Sequence, residues 1–467
     1  MFKRSATASL TVSALLLILI LSPSALAVEP IGPNDLIYFI MTDRFNDAAP
    51  NEFYANKKDA SGYHGGDFQG IIEKLDYIES LGFTAIWISP VVDNQSGGYH
   101  GYWAMDFYKV EEHFGSMDDL KRLVDEAHMR GMKVVFDIVI NHTGSLHPYV
   151  YDRPDWFHAR RLITDWNDLQ QVENGWLAGL PDLDQSNPEV MEYLTDMALW
   201  WIDQTGVDGY RIDTVKHVQK EYMAEFVRAI KALHPGFYLI GEVFDGNAAN
   251  IEGYRSTGID GFLDFPMYYG ISDTLAKDGG PEALGKAVVS GSMYSNRNLM
   301  GTFIDNHDVP RFVNRLDEPA KKLLQALAVT MTYTGIPVLY YGTEIALPGG
   351  YDPDNRKDMV FEENEITRAV RKLTGIRKEN PELVYGDIDL IGLGPEGFAY
   401  QRTYGGSSTV LLLNLSGDTL DFSFMLPYAS AFSSYVDLYD PSVGGAITGG
   451  SIKLTAAPRS FYILKLR

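Results

Sequence analysis

Four apolar runs in this 467-residue sequence end in acid, amide or histidine where an ordinary strand would turn. They are Val134-Val-Phe-Asp-Ile-Val-Ile-Asn141-His142, Gly209-Tyr-Arg211-Ile-Asp213, Leu239-Ile-Gly-Glu242 and Phe303-Ile-Asp305-Asn-His307-Asp308. Arg211 and Asp213 are two apart, so on a strand they share one face. A guanidinium beside a carboxylate keeps it ionised, as a nucleophile needs. Glu242, at the end of the next run, projects toward the same space. Carboxylates from neighbouring strands can approach within about 5 to 5.5 Å, the spacing at which one attacks a sugar's anomeric carbon and the other, held protonated, protonates the leaving oxygen. Taken singly, a strand-end acid is more often a helix cap or a surface ion pair, and a lone His142 or His307 more often a structural histidine. Four strand ends carrying such residues together favour chemistry.

The elements that must position these groups follow from periodicity. Short β-branched and aromatic runs alternate with amphipathic helical stretches, which argues for parallel strands joined by crossover helices. Eight strands are expected, at Leu36 to Met41, Thr84 to Ser89, Lys133 to Ile140, Gly209 to Asp213, Tyr238 to Glu242, Gly261 to Phe265, Met300 to Ile304 and Val338 to Tyr341. That number fits an α/β fold of the (β/α)8 TIM-barrel type, whose sites lie at the C-terminal strand ends. The barrel takes residues 28–142 and 188–380. Between its third and fourth strands a polar, Trp-rich stretch, 143–187, reads as an inserted domain B, and long ordered insertions usually carry function. After residue 380 short alternating strands with Gly and Ser turns indicate a C-terminal antiparallel β-sandwich domain, 381–467.

Composition removes several classes. The chain has no cysteine, so disulfides, thiolate metal sites and Cys nucleophiles are excluded. A formal charge of −23 repels phosphate backbones and argues against a nucleic-acid partner. Residues 1–27 read as a signal peptide, with Lys3 and Arg4, an apolar core and a small-residue end at Ala27. That core is shorter than the roughly 20 residues of a spanning helix, so secretion, extracellular or periplasmic, is expected rather than a membrane anchor. A monomer is expected.

Taken in order, Asp137-Ile-Val-Ile-Asn-His142, Gly209-Tyr-Arg-Ile-Asp-Thr-Val-Lys-His217, Gly241-Glu-Val-Phe244, Phe303-Ile-Asp-Asn-His-Asp308 and Leu180-Pro-Asp-Leu-Asp184 resemble the motifs of glycoside hydrolase family 13, the α-amylase family. The resemblance covers essentially the whole mature chain. It implies Asp213 as nucleophile, Glu242 as acid/base and Asp308 as the carboxylate gripping sugar hydroxyls. It also implies His142, His307, Arg211, His100 and Tyr102 around the same sugar, with Lys216 and His217 on the leaving side and Asp352 and Arg356 on the other. It further implies a calcium ion held by Asn141, Asp184 and the His217 carbonyl. A second calcium site of some relatives would use Asp47 and Asp67, where Ala48, Ala49 and Phe53 replace more polar residues.

The resemblance implies an α-glucan substrate and retaining endo-hydrolysis of α-1,4 bonds. The Asp184-ended fifth motif and the short insertion favour an endo-amylase over an oligo-1,6-glucosidase. Relatives that degrade cyclodextrins usually carry an extra N-terminal domain, and glucanotransferases extra C-terminal ones. Neopullulanase-like or cyclomaltodextrinase-like activity, glucanotransferase activity and a non-catalytic glucan-binding barrel are the alternatives.

Overall fold

The computed structural model describes residues 29–49, 55–277, 279–427 and 431–467. The expected signal peptide and Phe53 lie outside the described residues. Eight parallel strands form one sheet: β1 Ile37–Ile40, β2 Ala85–Ile88, β3 Lys133–Ile138, β4 Gly209–Ile212, β5 Tyr238–Gly241, β6 Gly261–Phe262, β7 Gly301–Thr302 and β8 Ile336–Tyr340. Their order is β6-β5-β4-β3-β2-β1-β8-β7, and a parallel bridge from Leu263 to Gly301 closes the ring between β6 and β7. Every residue of these strands is buried, which is why they read as continuous apolar runs rather than as alternation.

The sixth and seventh strands are shorter than the sequence pattern suggested. Asp264 caps the helix Phe265–Leu275, accepting from Met267 N at 3.1 Å, and Pro266 starts that helix, so Phe265 cannot extend β6. Beyond β7, the Asp305 carboxylate accepts from Thr343 Oγ1 and Phe312 N, fixing irregular backbone before the Asn306 to Asp308 segment.

Register sets the chemistry. Asp137 of β3 pairs directly with Arg211 of β4, and Ile212 with Gly241 of β5. The ladder continues past the strand ends, with Asp213 N donating to Ile138 O at 3.0 Å and Glu242 N to Ile212 O at 2.9 Å. The backbone therefore places both carboxylates side by side at one end of the barrel. Gly241 is required here, because a Cβ would lie 2.9 Å from the Phe262 ring. Under this end the interior is aromatic: Phe39 stacks on Trp87 with centroids 3.8 Å apart, and Tyr340 lies 5.0 Å from Phe39.

The insertion after β3 returns to the barrel through the bridge from His142 to Asp182, is braced internally by one from Phe157 to Leu183, and ends at Asn187, which caps the helix Pro188–Thr205. The hairpin Val92–Asn94 and Ala104–Val110, not foreseen from sequence, carries His100 and Tyr102 on its connecting loop.

The terminal domain has a six-stranded antiparallel sheet built from Asp387–Gly394, Gly397–Tyr404, Ser407–Asn414, Phe461–Leu466, Ser434–Asp437 and Gly444–Ala446, in that spatial order. The hairpin partners Leu420–Met425 and Ser451–Ala456 pack on it through Phe424 and Ile452, facing Val410, Leu412 and Leu464. Buried polar groups weld this domain to the barrel. Arg402 Nη1 donates to Thr332 O at 2.6 Å and Nη2 to Gly386 O at 3.0 Å, while Gln325 Nε2 donates to Asn414 O and Ser460 O at 2.8 and 2.9 Å. Replacing Arg402 by Met leaves buried carbonyls unpaired, at a cost of about 2 to 4 kcal/mol. Urea unfolding of Arg402→Met is expected to show a clearly lower midpoint, and an unchanged midpoint would mean that these bonds contribute nothing.

Candidate active site

At the C-terminal end of the barrel a cleft of about 490 Å³ is lined by His100, Tyr102, His142, Asp213, Lys216, His217, Glu242, His307, Asp308, Asp352 and Arg356. These are all the expected catalytic and sugar-contact residues except Arg211, which lies beneath the floor and is fully buried.

Arg211 organises the floor. Its Nη1 lies 2.9 Å from Asp137 Oδ1 and 2.6 Å from Asp213 Oδ1, and its Nη2 lies 2.8 Å from Glu242 Oε1. Asp137 is in turn held by Tyr102 Oη at 2.8 Å and Trp87 Nε1 at 3.2 Å. Its signal in the sequence was an acid inside an apolar strand, five residues before His142, yet reading strand ends alone passes over it.

Burial pushes the Glu242 carboxyl up to about 8, against the pull of Arg211 and with a further push from Asp213 and Asp308. Burial also raises Asp308, which Arg356 and Arg211 oppose. Asp308 has His307 Nε2 at 3.2 Å and Arg356 Nη2 at 3.5 Å. Arg356 is fixed by Asp352 at 3.0 Å and by donating Nε to the His307 carbonyl at 2.9 Å, and Asn355 Nδ2 donates to His307 O and Val309 O. The Asp352 to Arg356 loop is thus a brace for the Asp308 segment as well as a wall of the cleft.

Burial lowers His100, His142 and His307, and takes His217 down to about 4. Neutral rings suit hydrogen bonding to hydroxyls. His100 Nδ1 accepts from Tyr102 N at 3.1 Å, which leaves Nε2 as its donor. The Tyr102 ring stacks on His307, 5.1 Å between centroids and 3° from parallel. His142 Nε2 and His307 Nδ1 are buried with no hydrogen-bond partner, a state a sugar hydroxyl would relieve.

Sequence reasoning missed several lining residues: Trp103, Trp166, Leu177, Leu180, Thr214 and Phe244. Trp166 and Phe244, 55% and 43% exposed, are apolar rings left in solvent at the cleft, an arrangement that suits the apolar face of a sugar. Lys216 on this side has its Nζ 3.4 Å from Asp245, and His217 Nδ1 lies 2.9 Å from Val172 O of the insertion.

Of the calcium ligands implied by resemblance, Asn141 is fully buried and its Oδ1 makes no hydrogen bond. Asp184 turns elsewhere, to Ser186 Oγ at 2.5 Å and His158 Nε2 at 3.3 Å. The carboxylate next to Asn141 is Asp182, also buried, whose Oδ2 pairs with His158 Nδ1 at 2.6 Å while its Oδ1 is unbonded. Two buried oxygens without donors fit a hard cation, and the oxygen set that fits is Asn141 and Asp182. At the second place, Asp67 accepts from Gly70 N, Ala48 N and Ala49 N as a helix cap, and Asp47 pairs with Lys57 at 3.0 Å, so both carboxylates already have partners.

Comparison with known proteins agrees with this geometry. The family model for the alpha-amylase catalytic domain matches residues 39–378. A beta/alpha-amylase of Paenibacillus polymyxa is 38% identical over 91% of this chain, and a cyclomaltodextrin glucanotransferase of Bacillus sp. (strain 38-2) is 34% identical over 90%. This chain spans 37% and 64% of the lengths of those two relatives. Among solved structures, an α-amylase from Geobacillus thermoleovorans complexed with acarbose is 41% identical, with a TM-score of 0.88 over 94% of this chain and 99% of that one. A cyclomaltodextrin glucanotransferase with a three-domain ABC distribution is 32% identical, with a TM-score of 0.86 over 93% and 99%. With a closed eightfold barrel, a carboxylate-lined cleft at its C-terminal end and a family match over most of its length, this chain belongs to the α-amylase family, glycoside hydrolase family 13.

Proposed function

We propose that the protein is a retaining endo-hydrolase of α-1,4-glucosidic bonds in starch and related α-glucans, exported by way of residues 1–27. The observation that carries this reading is the sharing of one buried guanidinium by Asp213 and Glu242, which draws two carboxylates to a single cation as a close catalytic pair requires. Asp213 attacks the anomeric carbon while Glu242 gives its proton to the glycosidic oxygen, so the C–O bond breaks and a glycosyl ester forms on Asp213. Glu242, now a carboxylate, takes a proton from water, which attacks the same carbon and restores Asp213. Asp308, with His307 and Arg356 beside it, grips hydroxyls of the reacting sugar, and Tyr102 offers that sugar a ring face.

Transfer to a sugar hydroxyl in place of water is the second reading. The exposed Trp166 and Phe244 rings favour it, since they would hold a sugar acceptor on the leaving side. The similar three-domain glucanotransferase also removes the expectation that transferases carry extra C-terminal domains.

Asp213→Asn is expected to lower hydrolysis of soluble starch by at least about a thousandfold, in line with loss of a nucleophile. Products followed over time on starch, pullulan and cyclodextrin distinguish the readings: mixed maltooligosaccharides from starch support the endo-amylase, cyclic or lengthened products the transferase. Undiminished starch cleavage by the variant would refute the nucleophile assignment. Because the acid must be protonated, kcat/KM for a maltooligosaccharide is expected to fall as pH rises through about 8, the value to which burial raises Glu242. A profile flat to pH 10 would contradict that role.

We further propose a calcium ion between barrel and insertion, held by Asn141 Oδ1, Asp182 and the His217 carbonyl. It would tie β3, the insertion and the segment after β4 together. Chelation is expected to lower the Tm of the wild type and to leave that of Asp182→Ala, already low, almost unmoved; equal shifts in both would exclude Asp182 as a ligand.

A further inference from the structure

Four described non-glycine residues have a left-handed φ: Ala178, Thr214, Ala346 and Arg459. Thr214 is the β-branched one among them, at φ 47° and ψ 40°, a conformation that crowds its side chain. It follows Asp213 directly. Its Oγ1 is buried without a hydrogen-bond partner, so no bond of its own side chain offsets the strain. The turn is instead fixed from both sides: Asp213 N donates to Ile138 O at 3.0 Å, Val215 N to Glu242 O at 2.9 Å and His217 N to Thr214 O at 2.9 Å. Between these anchors one N–H is turned inward, and Thr214 N donates to Glu242 Oε2 at 3.2 Å.

The two oxygens of Glu242 are therefore unlike. Oε1 faces the positive Arg211 Nη2 at 2.8 Å, which disfavours a proton there. Oε2 faces a neutral amide. We propose that Thr214 is a positioning residue whose left-handed backbone holds the Glu242 carboxyl plane so that Oε2 carries the catalytic proton and presents it to the cleft. This rests on the reading of Glu242 as acid/base. Proton transfer from Oε2 to the glycosidic oxygen leaves a carboxylate that Arg211 and the Thr214 amide both stabilise, and the same oxygen then takes the proton of the incoming water. A strained backbone maintained beside a reacting group is where such positioning is expected.

The charged or titratable groups around Glu242 are Arg211 below, Asp213 beside it on the neighbouring strand end, Asp308, His142 and His307, the last two lowered by burial, and Lys216 paired with Asp245. Changing the one amide leaves all of them in place. The test replaces Thr214 by its α-hydroxy acid, which turns the N–H into an ester oxygen, and compares maltopentaose with 2-chloro-4-nitrophenyl maltotrioside, whose phenolate leaves without a proton.

The expected result is a kcat/KM, which reports only the steps through formation of the glycosyl ester, about tenfold lower on maltopentaose and nearly unchanged on the aryl glycoside, a modest share of what general acid catalysis supplies. The alkaline limb should move to higher pH, because the lost donor had favoured the ionised form. Thr214→Gly, which keeps the N–H and adopts positive φ freely, should leave that limb in place. Equal loss on both substrates, or an unmoved limb in the ester variant, would overturn the positioning role. Glu242→Gln separates the two levels: full activity on maltopentaose would instead sink the acid/base reading.

Discussion

A guanidinium with no access to water must have its charge answered inside the protein, and the centre of this barrel is arranged around that requirement. Arg211 is fully buried, and three carboxylates, Asp137, Asp213 and Glu242, lie within 3 Å of its terminal nitrogens. Removing one partner of such a cluster exposes the others to an unbalanced buried charge, a cost that ordinary surface pairs never carry. The cluster is anchored through Asp137, from the cleft wall as well as from the barrel interior. Asp137 is gripped by Tyr102 and Trp87, and Trp87 stacks on Phe39 in the barrel interior. The reactive carboxylates are thus held by groups whose own positions are set by aromatic packing. Their electrostatics are paid in advance by the fold, so little need rearrange when a sugar arrives.

Much of this was legible in the chain because barrels turn strand ends into sites. Asp213, Glu242, Asp308, His142 and His307 each follow an apolar run, and all of them line the cleft. What escaped depends on contacts between distant segments. Asn355 braces His307 from 48 residues away, and Tyr102 reaches Asp137 across 35, with no local spacing to announce either. Trp166 and Phe244 had no spacing to mark them as cleft residues, since sequence does not reveal which rings remain in solvent.

The pair Asp182 and Asp184 illustrates a subtler limit. Residues two apart on a regular strand share a face, and both carboxylates here flank the His158 ring, yet Asp182 sits in the bridge to His142 with one oxygen left unbonded while Asp184 begins a turn, accepting from Ser186 N. Which of two nearby acids faces the barrel is decided by a turn that the motif alone does not specify. The short sixth and seventh strands have a similar origin: Pro266 and the Asp305 hydrogen bonds cut off runs whose composition is fully strand-like.

The register that sets Asp137 against Arg211 also bears on quality control within a single molecule. Side chains alternate across a strand, so slipping β4 by one residue against β3 would send Arg211 and Asp213 together to the helix-facing side and put Tyr210 and Ile212 into the barrel. A misassembled barrel of this kind would bury an unanswered cation under its helices and have no cleft chemistry at all. The register that closes this part of the barrel is therefore the same one that assembles its site.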